Sequence, residues 1–84
     1  MYTLYIIYSN SLDSYYVGYT NCFERRLSEH NRKKGKYTDI GIPWVLVYFE
    51  NFQTKKEAMD SEKFIKSKKS RSFITALINQ LSQH

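Results

Sequence analysis

Residues 15–31 read YYVGYTNCFERRLSEHN, and the fold turns on how that stretch divides. Up to Thr20 it is rich in tyrosine, valine and threonine, the residue types that suit a pleated strand. From Asn21 the period changes: Phe23 and Leu27 fall four apart, as do Arg26 and His30, and the pattern is helical. Asn21 is placed to cap this helix and Gly35 to stop it. At about 100° per residue, Leu27, His30 and Arg26 lie within about 60° of Phe23, whereas Arg25 points away. An arginine and a histidine therefore flank or join an apolar stripe, where each requires a partner.

Upstream, residues 3–9 and 14–20 read as a β-hairpin around the turn-forming stretch NSLD. Pairing Ser9 with Ser14 leaves a four-residue loop and sets Ile7 opposite Tyr16 and Tyr5 opposite Gly18. Tyr5 and Tyr16 then share a face, and Gly18 leaves room beside the Tyr5 ring. Downstream, YTDIGIP reads as a loop, and WVLVYFENF at 44–52, apolar on both faces, as a buried strand. Thr54 and Glu57 stand in capping-box spacing and open a helix. On that helix Glu62 and Ile65 lie within about 40° of Ala58, so a carboxylate is turned toward the core. Such a group is costly unless it meets a cation, a metal or hydrogen-bond donors. Phe73, Ile74, Leu77, Ile78 and Leu81 mark a last helix, with KSKKSR at 66–71 as the junction before it. The order is ββαβαα, in one domain spanning residues 1–84.

At 84 residues, 42% hydrophobic and 17% aromatic, there is enough apolar mass for one modest core and no second domain. Trp44 and Tyr48 are assigned to that core. The single cysteine, Cys22, has no internal disulfide partner and reads as a small residue at a helix start. The N-terminus lacks a basic region and cleavage site, and no apolar run reaches membrane-spanning length, so a soluble cytoplasmic protein without a membrane role is expected. The formal charge of +5 favours polyanionic partners. The basic runs NRKKGK at 31–36 and KSKKSR at 66–71 follow the two helices that carry Arg26, His30 and Glu62.

TLYII with Tyr5, YVG at 16–18, FERRLSEHN with Arg26 and His30, and EKFIK with Glu62 together resemble the GIY-YIG endonuclease superfamily. With KYT, PWVLVYFE and EAMDSEKFIKSKK, the chain looks most like its short stand-alone bacterial members, and it is also similar to the nuclease domain of the repair protein UvrC. Thr3 replaces the first glycine of the name and Val17 the isoleucine of its second triplet. The resemblance implies an α+β fold, a small three-stranded antiparallel sheet packed with helices, and hydrolysis of DNA phosphodiesters with one divalent metal, Mg2+ or Mn2+. It assigns Glu62 to the metal, Arg26 to the scissile phosphate, Tyr5 to the general base and Tyr16 to positioning water or phosphate. His30 shares proton transfer or bonds to Tyr16. For Tyr5 to act as a base, metal and arginine must lower its pKa from about 10.

Lys33, Lys34, Lys36, Tyr37, Lys66, Lys68, Lys69 and Arg71 are the expected nucleic-acid contacts, made to the DNA backbone. Branched DNA or single-strand/duplex junctions are the expected substrates, in repair or recombination, with a protein partner supplying recognition. Asn79 is a possible counterpart of an asparagine found in the family's last helix. Each residue alone has an ordinary explanation: core tyrosines, covering stems, and a Glu62–Lys66 surface pair. Their joint spacing favours the nuclease over an inactive nucleic-acid-binding module of the same fold, or over a small interaction domain.

Overall fold

The hairpin forms in the expected register. In the computed structural model, which describes residues 1–32 and 40–82, β1 (Tyr2–Ser9) and β2 (Ser14–Thr20) pair antiparallel, with Ser9 opposite Ser14, Ile7 opposite Tyr16 and Tyr5 opposite Gly18. The Ser9 hydroxyl accepts the Leu12 N–H at 3.1 Å within the turn, and Asp13 takes a left-handed conformation with φ 51°. β3 (Trp44–Phe52) then pairs antiparallel with the other side of β1, which gives the order β2-β1-β3.

That order corrects one expectation. β3 is an edge strand rather than a buried one, and Val45 and Phe49 remain 49% and 47% exposed. A three-stranded sheet has a single interior position, and β1 takes it because both of its edges are paired. Leu4, Tyr5, Ile6 and Ile7 are accordingly all at most 1% exposed.

Strand alternation separates two cores. On one face Leu4, Ile6 and Val17 meet Ile65 of α2 (Lys55–Lys68) together with Phe73, Ile74 and Leu77 of α3 (Arg71–Ser82). On the other, Tyr5, Ile7 and Trp44 meet Phe23 and Leu27 of α1 (Phe23–His30), with Tyr16 alongside. The class is α+β with the order ββαβαα, as expected.

The Thr54 cap is present: its hydroxyl oxygen accepts the Glu57 N–H at 3.2 Å and its hydroxyl donates to the Glu57 carboxylate at 2.9 Å. The ends of α1 differ from expectation. Cys22, not Asn21, is the N-cap, and the Cys22 N–H is taken up by the Thr20 hydroxyl at 3.1 Å. The helix stops at His30 because the Asn31 amide is committed to the start of β3, accepting the Trp44 N–H at 2.6 Å and donating to the Trp44 carbonyl at 3.1 Å. Gly35, the expected stop, lies outside the described residues.

A second clip joins the hairpin turn to α3. Arg71 donates to the Asp13 carboxylate at 2.6 Å and to its carbonyl at 3.0 Å, and the Tyr8 hydroxyl donates to the same carboxylate at 2.6 Å. These bonds, Arg71 first and Tyr8 second, hold the Asp13 carboxyl below its ordinary 3.8. A carboxyl depressed in the folded state stabilises above its unfolded pKa, and that contribution disappears as the pH falls through the folded value. Thermal unfolding from pH 6 to about pH 2 is therefore expected to show an acid loss of stability that is smaller in Asp13→Asn. Equal acid profiles for the two proteins would remove this role.

Candidate active site

Tyr5 occupies the central strand and is 1% exposed, so its ring orientation is set by packing. Its ring lies against Phe23 with centroids 5.6 Å apart and is stacked with Tyr16 at 6.4 Å and 26°. The Tyr5 hydroxyl is 3.1 Å from His30 Nε2. His30 also meets the Tyr16 ring edge-on at 4.8 Å. A hydrogen bond thus links Tyr5 and His30, and the Tyr16 ring is in contact with the same imidazole. One helical turn before His30, the Arg26 guanidinium faces both phenols and pairs with Glu29 at 3.4 Å.

Gly18 makes this convergence possible. A Cβ there would stand 2.8 Å from the Tyr5 hydroxyl oxygen and 3.1 Å from Tyr16 Cε1. The room anticipated beside the Tyr5 ring is filled by the two rings themselves.

Burial pushes the Tyr5 phenol above its ordinary 10.0. The Arg26 hydrogen bond pulls the other way, as expected, but Tyr16 and Glu62 add to the upward push and burial wins. The downward pull expected of the arginine is present, and in the protein alone it is outweighed by burial, which favours the neutral phenol. Arg26 is in turn held more firmly protonated, first by its bond to Tyr5.

Glu62 projects from α2 with its side chain 18% exposed, close enough to bear electrostatically on Tyr5. Its carboxylate pairs with Lys66 at 3.7 Å. α2 packs on the sheet face opposite α1, and both helices contact the edge strand β2. There an open groove of about 450 Å³ is lined by Tyr15 and Tyr16 on the strand side and by Ile65, Lys66, Lys69 and Arg71 on the helix side. Among the described residues no group of three or more histidine, cysteine, aspartate or glutamate side chains is placed to hold a metal. A lone carboxylate suits Mg2+ or Mn2+, which keep several waters and take further oxygens from a substrate phosphate, and does not suit zinc with its several protein ligands.

The expected DNA contacts are placed unevenly. Lys66 and Lys69 line the groove. Lys68 instead lies over the Phe64 ring at 4.6 Å, and Arg71 is tied to Asp13 and lies 5.3 Å over the Tyr15 ring. Lys33, Lys34, Lys36 and Tyr37 lie outside the described residues. Trp44 is buried and Tyr48 half-buried, in keeping with core roles, and Asn79 is exposed on α3. Sequence reading missed Asn31 and Asp13. The available signals were an asparagine directly after a helical run and an aspartate in a turn position that favours positive φ.

A family model described as the GIY-YIG catalytic domain matches residues 1–75. The chain belongs to the GIY-YIG family. This is an endonuclease family whose members act on DNA and generally depend on a divalent metal. Relatives include a UPF0213 protein of Streptococcus pneumoniae serotype 4, 49% identical over 57 residues, covering 67% of this chain and 58% of the relative. The UPF0213 protein YazA of Bacillus subtilis is 46% identical over 55 residues, covering 64% and 56%. The GIY-YIG chain thus spans less than two thirds of the length of these relatives. No solved structure matches it. Among its described residues, no helix is long and apolar enough to cross a membrane.

Proposed function

We propose that this GIY-YIG chain is a metal-dependent DNA endonuclease that selects branched or junction structures, or is weakly sequence-specific, and serves repair or recombination in the cytoplasm. The observation that carries this reading is the gathering of Tyr5, Tyr16, Arg26 and His30 around one buried phenol, with the half-buried Glu62 acting on the same phenol from a different helix.

In this reading Arg26, kept charged by its surroundings, donates to the oxygens of the scissile phosphate and stabilises the charge that grows there. The raised pKa of Tyr5 shapes the proton path. A neutral phenol removes a proton from water only if it releases its own, and His30 Nε2 is 3.1 Å away. Water attacks phosphorus as its proton passes to the Tyr5 oxygen and the phenol proton passes to His30, while the leaving oxygen is protonated from solvent. Tyr16 orients water or phosphate beside Tyr5. Glu62 holds the divalent ion, which when bound supplies charge neutralisation at a phosphoryl oxygen. Lys66 and Lys69 provide backbone contacts in the groove, and a protein partner supplies further recognition.

The test is nicking of linear, flap, splayed-arm and junction DNA by the 84-residue chain, with Mg2+ or Mn2+ and with chelator. Metal-dependent nicking is expected, with Glu62→Gln and Arg26→Ala each about 10²-fold slower or worse while still folded. DNA binding without cutting would leave an inactive binding module. Neither binding nor cutting would leave an interaction domain.

A further inference from the structure

The pair formed by Glu62 and Lys66 is asymmetric. The carboxylate-bearing side chain is 18% exposed and the lysine side chain 54%, with 3.7 Å between the charged atoms. Glu62 is anchored on the inner side of α2, which also carries the buried Ala58 and Ile65. Lys66 reaches it from one turn later on a long flexible stem and borders the groove that contains Tyr16, Lys69 and Arg71. A carboxylate held largely out of water needs a compensating charge. Among the described residues, the ion pair at Glu62 is made by Lys66.

We propose that Lys66 is a positioning residue, the resident counterion of Glu62 in the metal-free protein, and that it moves to a strand phosphate in the groove when a divalent ion takes over the carboxylate. This rests on the reading of Glu62 as the metal ligand. An ammonium and a divalent ion at the same carboxylate repel each other, so one excludes the other. Releasing the ammonium is inexpensive, because exposed pairs four residues apart on a helix are weak and this lysine already opens to water. A phosphate in the groove gives the displaced ammonium a new partner. Metal and DNA thereby favour each other's binding, a reciprocal coupling carried by one side chain. The anion is also kept compensated, and so kept in place, before metal arrives.

Direct measurement of Mn2+ binding tests this without reference to cutting. The free ion is followed by its paramagnetic resonance signal in titrations of the wild-type chain, Lys66→Met, Lys66→Arg and Glu62→Gln, with folding checked by circular dichroism. Lys66→Met is expected to bind Mn2+ about three- to tenfold more tightly than wild type, the range for removing one nearby, partly screened charge. Lys66→Arg retains that charge and is expected to stay within about twofold. Glu62→Gln is expected to abolish binding. Where Lys66→Met fails to fold, Lys66→Gln makes the same comparison. Unchanged affinity in the lysine variants, with binding still lost in Glu62→Gln, overturns the counterion role and leaves the metal site standing. Binding that survives Glu62→Gln, or that is absent from both wild type and Lys66→Met, overturns the metal reading and this inference with it.

Discussion

Tyr5→Phe is expected to slow DNA nicking by about 10² to 10⁴-fold, the usual contribution of a positioned proton-transfer group, while leaving the protein folded. The substitution removes one oxygen and keeps the ring that packs against Phe23 and Tyr16. The stability change should therefore stay within about 3 kcal/mol, the upper worth of a hydrogen bond to a charged group, because Arg26 also bonds to this oxygen. What disappears is the only atom of Tyr5 able to take a proton from water, together with its 3.1 Å link to His30. Nicking rates under saturating DNA and metal, read beside thermal unfolding, separate the two effects. A Tyr5→Phe protein that cuts at the wild-type rate would take the proton relay away from Tyr5 altogether.

The second large effect is expected at Gly18. An alanine methyl there would stand 2.8 Å from the Tyr5 hydroxyl oxygen, 2.9 Å from its Cζ and 3.1 Å from Tyr16 Cε1. At least one of these rings must move, and Tyr5, 1% exposed, has no open space into which to retreat. Overpacking of this kind costs about 1 to 3 kcal/mol. A displacement near 1 Å in a reacting group slows chemistry by about 10²-fold. Gly18→Ala is therefore expected to lose activity out of proportion to its stability. Leu77→Ala, in the core on the opposite face, is the matched comparison. It should be destabilised by up to about 2 to 5 kcal/mol while its folded fraction cuts normally. If the two variants lose activity in the same proportion to stability, Gly18 is merely a packing position.

Much of the site was readable because it depends on short-range periodicities. Strand alternation and a four-residue turn were sufficient to set Tyr5 opposite Gly18 and on the face of Tyr16. Helical spacing was sufficient to bring Arg26 and His30 to one stripe and to turn Glu62 inward beside Ile65. Other features lay beyond such patterns. Asn31 ends α1 through a contact with Trp44, a residue 13 positions away, and Asp13 meets Arg71 across 58 positions. No local period encodes contacts of that range. The basic run at 66–71 looked uniform, yet its members divide among a carboxylate, an aromatic ring and a hairpin turn once the chain is folded.

By itself the sequence determined the element order, the hairpin register and the identity of the polar side chains that face inward. Each follows from the pitch of a strand or a helix, which neighbouring residues set among themselves. Only the tertiary structure decided that β1 rather than β3 lies at the centre of the sheet, that His30 partners Tyr5, and that burial leaves that phenol protonated. Those outcomes depend on which faces and edges are covered. Coverage, and the loss of water that alters a phenol's acidity, exists only after distant segments have packed together.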